Sequence, residues 1–150
     1  MSDATREAET TVMTRLADRL AIDDQLTRYC RAIDTGAWDL LDEIFTPDAV
    51  VDYTSSGGQR GTYREIKAWL ASVLPHFAMR QHLVTNREIT IDGDTARSRA
   101  YLLNPMGIRR ADGGLDLFIT GATYHDRWRR TPDGWRLVER VLEEHWRDRR

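Results

Sequence analysis

The sequence predicts an α+β fold, with three N-terminal helices packed on one concave face of a curved antiparallel sheet. Two observations carry this expectation. Apolar residues recur with helical spacing only between positions 13 and 73. From Met79 onward the chain reads as extended runs cut by Asp92-Gly93-Asp94, Ala111-Asp112-Gly113-Gly114 and Thr131-Pro132-Asp133-Gly134. Each cluster is a turn signal, so the runs form consecutive hairpins and an antiparallel meander. Helices first and strands afterwards is the order of an α+β domain.

The first helix takes shape at Met13. Leu16 and Leu20 sit four apart, and Leu26, Tyr29, Cys30 and Ile33 continue the spacing. Gly36 follows Asp34-Thr35 at the expected C-cap. A second short helix fits residues 37–45, with Trp38, Leu41, Ile44 and Phe45 on one face, and Thr46-Pro47 ends it. Residues 49–53 read as a strand and Ser55-Ser56-Gly57-Gly58 as its turn. Thr62 and Glu65 form a capping-box signature that opens a third helix, with Ile66, Trp69, Leu70 and Val73 inward and Pro75 at its close. Strands are then expected over 79–91, 95–103, 115–128 and 135–145.

A chain of 150 residues fits one domain, placed at 13–150 behind a flexible polar stretch at 1–12. Hydrophobic residues at 41% supply a core without disulfides, and Cys30 stands alone. The net charge of -2 gives no reason to expect nucleic acid or an anionic membrane as partner. No signal-peptide pattern and no membrane-length apolar run occur, so the expected location is cytoplasmic. Lys67 is the only lysine among 22 basic residues, a bias that codon usage explains without an anionic ligand. The four histidines show no metal-ligand spacing, and no glycine-rich loop joins a strand to a helix, so no metal and no cofactor are expected.

Four polar residues from four elements are candidate catalytic groups: Tyr29, Asp34, Tyr53 and His82. Packing or solvation is the alternative role for each, a satisfied core tyrosine or histidine being commonplace. A carboxylate at a helix C-terminus meets the negative end of the dipole, which raises its pKa unless a cation stands nearby. Paired with His82, Asp34 would suit proton transfer near neutral pH. Tyr29 and Asp34 lie five apart, roughly 140° around an ideal helix. They share a pocket only if the chain unwinds near Gly36 or the tyrosine reaches round. Asn86, on the His82 face of its strand, and Phe118 and Tyr124, sharing another face, are candidate substrate-binding residues; turn contacts and core packing explain them equally. His125 falls on the opposite face, outside the site. Arg127-Trp128-Arg129-Arg130 reads as a solvated strand face rather than a nucleic-acid patch. Arg140 is expected in an interface or surface salt bridge, with a buried acid near the pocket as the alternative.

Longer motifs carry a resemblance. Tyr29 with Ala32-Ile33-Asp34-Thr35-Gly36, the run from Leu41 through Phe45-Thr46-Pro47-Asp48-Ala49-Val50-Val51, then Gln81-His82-Leu83-Val84-Thr85-Asn86, Asp92-Gly93-Asp94-Thr95-Ala96 and Gly134-Trp135-Arg136 resemble SnoaL-like proteins of the NTF2-like superfamily. The likeness covers residues 13 to 146 and implies a cone-shaped fold around one pocket. Within the superfamily it is closest to scytalone dehydratase and bile acid 7α-dehydratase, lyases without cofactors that use an Asp–His pair and pocket tyrosines. It implies that His82 moves the proton, Asp34 orients and charges it, and Tyr29 and Tyr53 polarise a carbonyl or leaving oxygen. The chain departs from the bile acid enzyme at Leu103-Asn104-Pro105, where Asn104 stands in place of an acid; it can hydrogen-bond a substrate but not protonate one.

The resulting expectation is a cofactor-independent dehydratase or isomerase acting on a hydrophobic ring compound such as a polyketide, steroid or terpenoid. The alternatives are a non-catalytic small-molecule binding module and a structural subunit like the small subunit of ring-hydroxylating dioxygenases. An open sheet with exposed aromatics also predicts a homo-oligomer, a trimer or a dimer.

Overall fold

The computed structural model describes residues 3–149. Two helices, α1 (Asp3–Thr35) and α2 (Tyr63–Val73), pack on one mixed sheet of seven strands: β1 (Phe45–Asp52), β2 (Arg60–Thr62), β3 (Met79–Arg80), β4 (Leu83–Asp92), β5 (Thr95–Arg109), β6 (Leu115–Thr131) and β7 (Gly134–Arg149). The order is β2-β1-β7-β6-β5-β3, and β4 lies along β5 beside β3. The α+β class expected from the sequence is the fold observed.

Three details differ from expectation. The stretch assigned to residues 37–45 is a 3-10 helix at Trp38–Glu43, and Phe45 already pairs with Leu137 as the first residue of β1. The sheet is not wholly antiparallel, because β1 and β7 run parallel. Alternation encodes which face a residue takes, not the direction of a partner brought in by a long connection. Finally, α1 begins at Asp3, so the expected flexible segment 1–12 is helical from there with exposed side chains, while Met1 and Ser2 lie outside the described residues.

The ends of these elements follow local rules. Gly36 adopts φ +72°, and the Ala37 amide donates to the Ala32 carbonyl at 3.0 Å, closing α1 as a left-handed cap does. At α2 the capping box forms: the Thr62 hydroxyl accepts from the Glu65 amide, and the Glu65 carboxylate accepts from the Thr62 amide. Thr62→Ala is therefore expected to destabilise the protein by about 1 kcal/mol, read from a urea midpoint at unchanged slope.

The core fills the space between helices and concave sheet face. Ile22, Leu26, Ile33, Ile66 and Leu70 meet Leu102, Ala122, Leu137 and Leu142, all buried. Trp128 is also buried and donates from Nε1 to Ser98 Oγ at 2.8 Å, while Arg127 and Arg129 beside it are exposed, as alternation requires.

Candidate active site

The strand expected over 79–91 is interrupted at Gln81 and His82, between β3 and β4. Both pieces pair with β5, so the break falls within one sheet edge. There the His82 amide leaves the ladder and donates to Asp34 Oδ2 at 3.0 Å, while His82 Nδ1 lies 2.6 Å from Asp34 Oδ1. One carboxylate thus fixes both the backbone and the ring of His82. The last turn of α1 presents that carboxylate, and Arg80 donates to the Asp34 carbonyl at 3.1 Å and the Leu74 carbonyl at 2.6 Å. A guanidinium on the Asp34 carbonyl, in the last turn of α1, offsets the negative end of that helix's dipole.

Burial raises the Asp34 pKa, but hydrogen bonds from the His82 ring and amide, with the charge of Arg80, outweigh it, so the carboxyl sits below its ordinary value. An ionised carboxylate only accepts, so Nδ1 carries the proton and donates. In a neutral ring Nε2 then holds the lone pair. The His82 side chain is only 6% exposed.

A pKa depressed in the folded state stabilises the fold above the unfolded value, about 3.9, and that stabilisation is lost as pH falls through the lowered native value. Wild type and Asp34→Asn should accordingly differ most in Tm above about pH 5 and converge in strong acid. A difference independent of pH would contradict an ionised Asp34 held by these hydrogen bonds.

Tyr29 and Asp34 point apart around α1, and His82 bridges them: its ring packs edge-on to Tyr29 at 6.4 Å between centroids while Nδ1 reaches the carboxylate. The Tyr29 and Tyr53 hydroxyls are hydrogen-bonded at 2.7 Å, one donating to the other. Tyr124 meets Tyr29 edge-on at 5.9 Å. Burial holds all three phenols well above the ordinary tyrosine value, with Arg140 pulling the other way. Gly58 lets the loop after β1 lie on this cluster; a Cβ there would stand 2.8 Å from Tyr53 Cβ and 2.9 Å from the Trp69 ring.

These residues wall a cavity of about 270 Å³. Its apolar wall includes Trp69, Leu74, Phe77, Met106 and Phe118, and its polar groups are His82, Tyr29, Tyr53, Asn104 and Thr120, with Arg147 at the rim. Of the sequence-derived set, Tyr29, Tyr53, His82, Asn104, Phe118 and Tyr124 line this space, and Asp34 stands behind His82. Phe118 packs edge-on to Phe77 at 5.4 Å. Asn104 is buried, and its Oδ1 has no hydrogen-bond partner among the described residues. Asn86 is a correction: it is exposed at φ +50°, in the irregularity between Thr85 and Glu88 where β4 loses register, and does not reach the cavity. The bulge breaks the parity that had placed it on the His82 face. His125, excluded from the site by parity, is exposed and bonded to Glu143.

Arg140 corrects the preferred expectation of a surface or interface bridge and takes the alternative, a pair with a buried acid beside the pocket. Fully buried, it donates from Nε and Nη2 to Asp126 at 2.8 and 2.7 Å, and its guanidinium carbon lies 4.2 Å from the Tyr29 ring centroid and 4.0 Å from that of Tyr124. Burial alone would lower its pKa, but the Asp126 charge raises it well above the ordinary value. Sequence reasoning missed Asp126, although the signal was present: it alternates with Tyr124 and Trp128, which face inward on β6.

A model of the SnoaL-like domain matches residues 14–141. A relative of uncharacterised function from Mycobacterium tuberculosis is 44% identical over 126 residues, covering 84% of each chain. Among solved structures, an aromatic ring hydroxylase candidate from Novosphingobium aromaticivorans is 28% identical, with TM-score 0.79 and coverage of 90% of this chain and 94% of that one. Hexachlorocyclohexane dehydrochlorinase LinA-type3 from Novosphingobium barchaimii shares the fold at 20% identity, TM-score 0.77, with 92% and 93% of the two chains covered. A scytalone dehydratase candidate from N. aromaticivorans does so at 20% identity, TM-score 0.81, covering 91% and 90%. With the family model spanning residues 14–141, the chain belongs to the SnoaL-like domain family.

Proposed function

We propose that the protein is a cofactor-independent lyase or isomerase that moves a proton on a hydrophobic ring ketone. The observation that supports this most directly is the Asp34–His82 bridge at the wall of an apolar cavity, with the Tyr29–Tyr53 hydroxyl pair on the same cavity. His82 Nε2, its lone pair fixed by the tautomer, takes a proton from the carbon beside the carbonyl. Asp34 keeps the ring oriented and stabilises the imidazolium that forms. The hydroxyl pair donates a hydrogen bond to the carbonyl oxygen as negative charge gathers there. Where a hydroxyl stands on the next carbon, the C–O bond breaks, and the hydroxide takes the proton from His82 and departs as water, leaving an enone. Where a β,γ carbon–carbon double bond stands there instead, His82 returns the proton at the far (γ) carbon, the double bond moves into conjugation with the carbonyl, and the outcome is isomerisation. Asn104 Oδ1 accepts a hydrogen bond from a donor on the substrate.

The dehydrochlorinase and scytalone dehydratase likenesses support elimination chemistry as a class for this fold. Incubation with a panel of mono- and bicyclic β-hydroxy ketones, followed by enone absorbance, is expected to show turnover that does not require added metal or nucleotide. Compounds bound but recovered unchanged would instead support the binding module, a reading favoured by Asn104, which cannot serve as the acid that the bile acid enzyme carries.

A further inference from the structure

Helix α1 carries two apolar faces. Ile22, Leu26, Tyr29 and Ile33 are buried in the core. Val12, Met13, Leu16 and Leu20 form the other, and are 64%, 63%, 49% and 57% exposed. Leu20 stands roughly 160° round the helix from Ile22, so the packing that buries one face turns the other to solvent. Residues 3–17 are all exposed, an arm about 22 Å long whose last turn, at Leu16, borders Arg87 and Ile89 of β4. A helix of this length is marginal alone in water, and its large apolar side chains give it reason to pack against something.

We propose that this outward face pairs with the same face of a second copy, the two arms crossing antiparallel about a two-fold axis at Val12. The sequence of the arm is self-complementary in that arrangement. Val12 meets Val12, Ala8 meets Leu16 of the second copy, and Ala4 meets its Leu20, so small side chains stand opposite large ones. Glu9 meets Arg15, and neither makes an ion pair or hydrogen bond within its own chain among the described residues. A parallel arrangement would set Glu9 against Glu9 and Arg15 against Arg15, which repel. Of the other elements, β4 comes beside the Leu16 and Leu20 end of the face through Arg87 and Ile89, and the apolar side chains on the outer sheet face, Tyr101, Leu103 and Trp146, stay free for a separate contact.

Sedimentation of the full chain tests the pairing. Leu16→Glu is expected to lower the mass of the assembly. Glu9→Arg should weaken self-association about tenfold at low salt, because two symmetry-related pairs are lost at once. Glu9→Arg combined with Arg15→Glu should restore it; residues six apart do not face each other on one helix, so only pairing between chains produces that rescue. Under mild oxidation Val12→Cys should give a disulfide-linked dimer, whereas Ala8→Cys and the wild type, which retains Cys30, should not. The proposal is overturned if Leu16→Glu sediments as wild type, if the charge swap fails to rescue, or if Ala8→Cys cross-links as readily as Val12→Cys. It is overturned equally if the wild type is monomeric and its arm binds phosphatidylglycerol vesicles in a manner that Leu16→Glu abolishes.

Discussion

His82→Ala is expected to lower turnover of a ring ketone by about 10³-fold with the fold intact, within the range that a positioned general base supplies. The side chain is nearly buried, yet among the described residues its polar contacts are to Asp34 alone, and the His82 amide that donates to Asp34 is backbone and survives the substitution. The anchor of the β3–β4 break therefore remains, and the thermal midpoint should move little compared with the rate. Asp34→Asn should cost a similar factor for a different reason. An amide can turn its NH2 toward Nδ1, which then accepts, and the proton passes to Nε2, where the base is needed. Wild-type turnover in both variants would remove the pair from the mechanism. Loss of turnover with loss of circular dichroism would leave the role to be read from His82→Gln, which keeps a polar side chain of similar reach.

The second large effect concerns stability. Asp126→Ala is expected to cost about 3–5 kcal/mol, because it strands the Arg140 charge in the core without its carboxylate. For a domain of this size that corresponds to a fall in Tm of roughly 10 °C. Arg140 has no solvent to turn to, since both side chains of the pair are 0% exposed and the guanidinium is enclosed by Tyr29 and Tyr124. The paired change Asp126→Leu with Arg140→Met should recover much of the loss, since apolar groups of similar volume often replace a buried ion pair without cost. The same double variant takes the positive charge away from beneath the phenols, so it should impair turnover while restoring stability. A double variant as unstable as Asp126→Ala would mean that packing, not the stranded charge, sets the cost.

Local signals in the sequence were sufficient wherever a residue's environment is set by its near neighbours. The Thr62–Glu65 capping box, the glycine cap at Gly36 and the Asp92-Gly93-Asp94 hairpin formed where they were expected, because each is satisfied within a few residues. Parity along β5 and β6 likewise put Phe118 and Tyr124 on the cavity side and His125 outside, since alternation persists as long as a ladder is unbroken. It failed at Asn86, where the β4 bulge shifts the register. The helical spacing of Trp38, Leu41, Ile44 and Phe45 predicted a helix for residues 37–45, but pairing of Phe45 with Leu137 drew the end of that stretch into the sheet.

The sequence by itself determined the α+β class, the element order and a short set of polar residues able to handle protons. Only the tertiary structure decided that Asp34 and His82 meet 48 positions apart, that Arg140 is held by Asp126 rather than by the surface, and which face of α1 remains uncovered. The reason is physical. Spacing along a chain reports turns and faces within one element, whereas a side chain's partner across the core depends on how separate elements are brought together, through parallel pairing and breaks in strand register that no short pattern encodes.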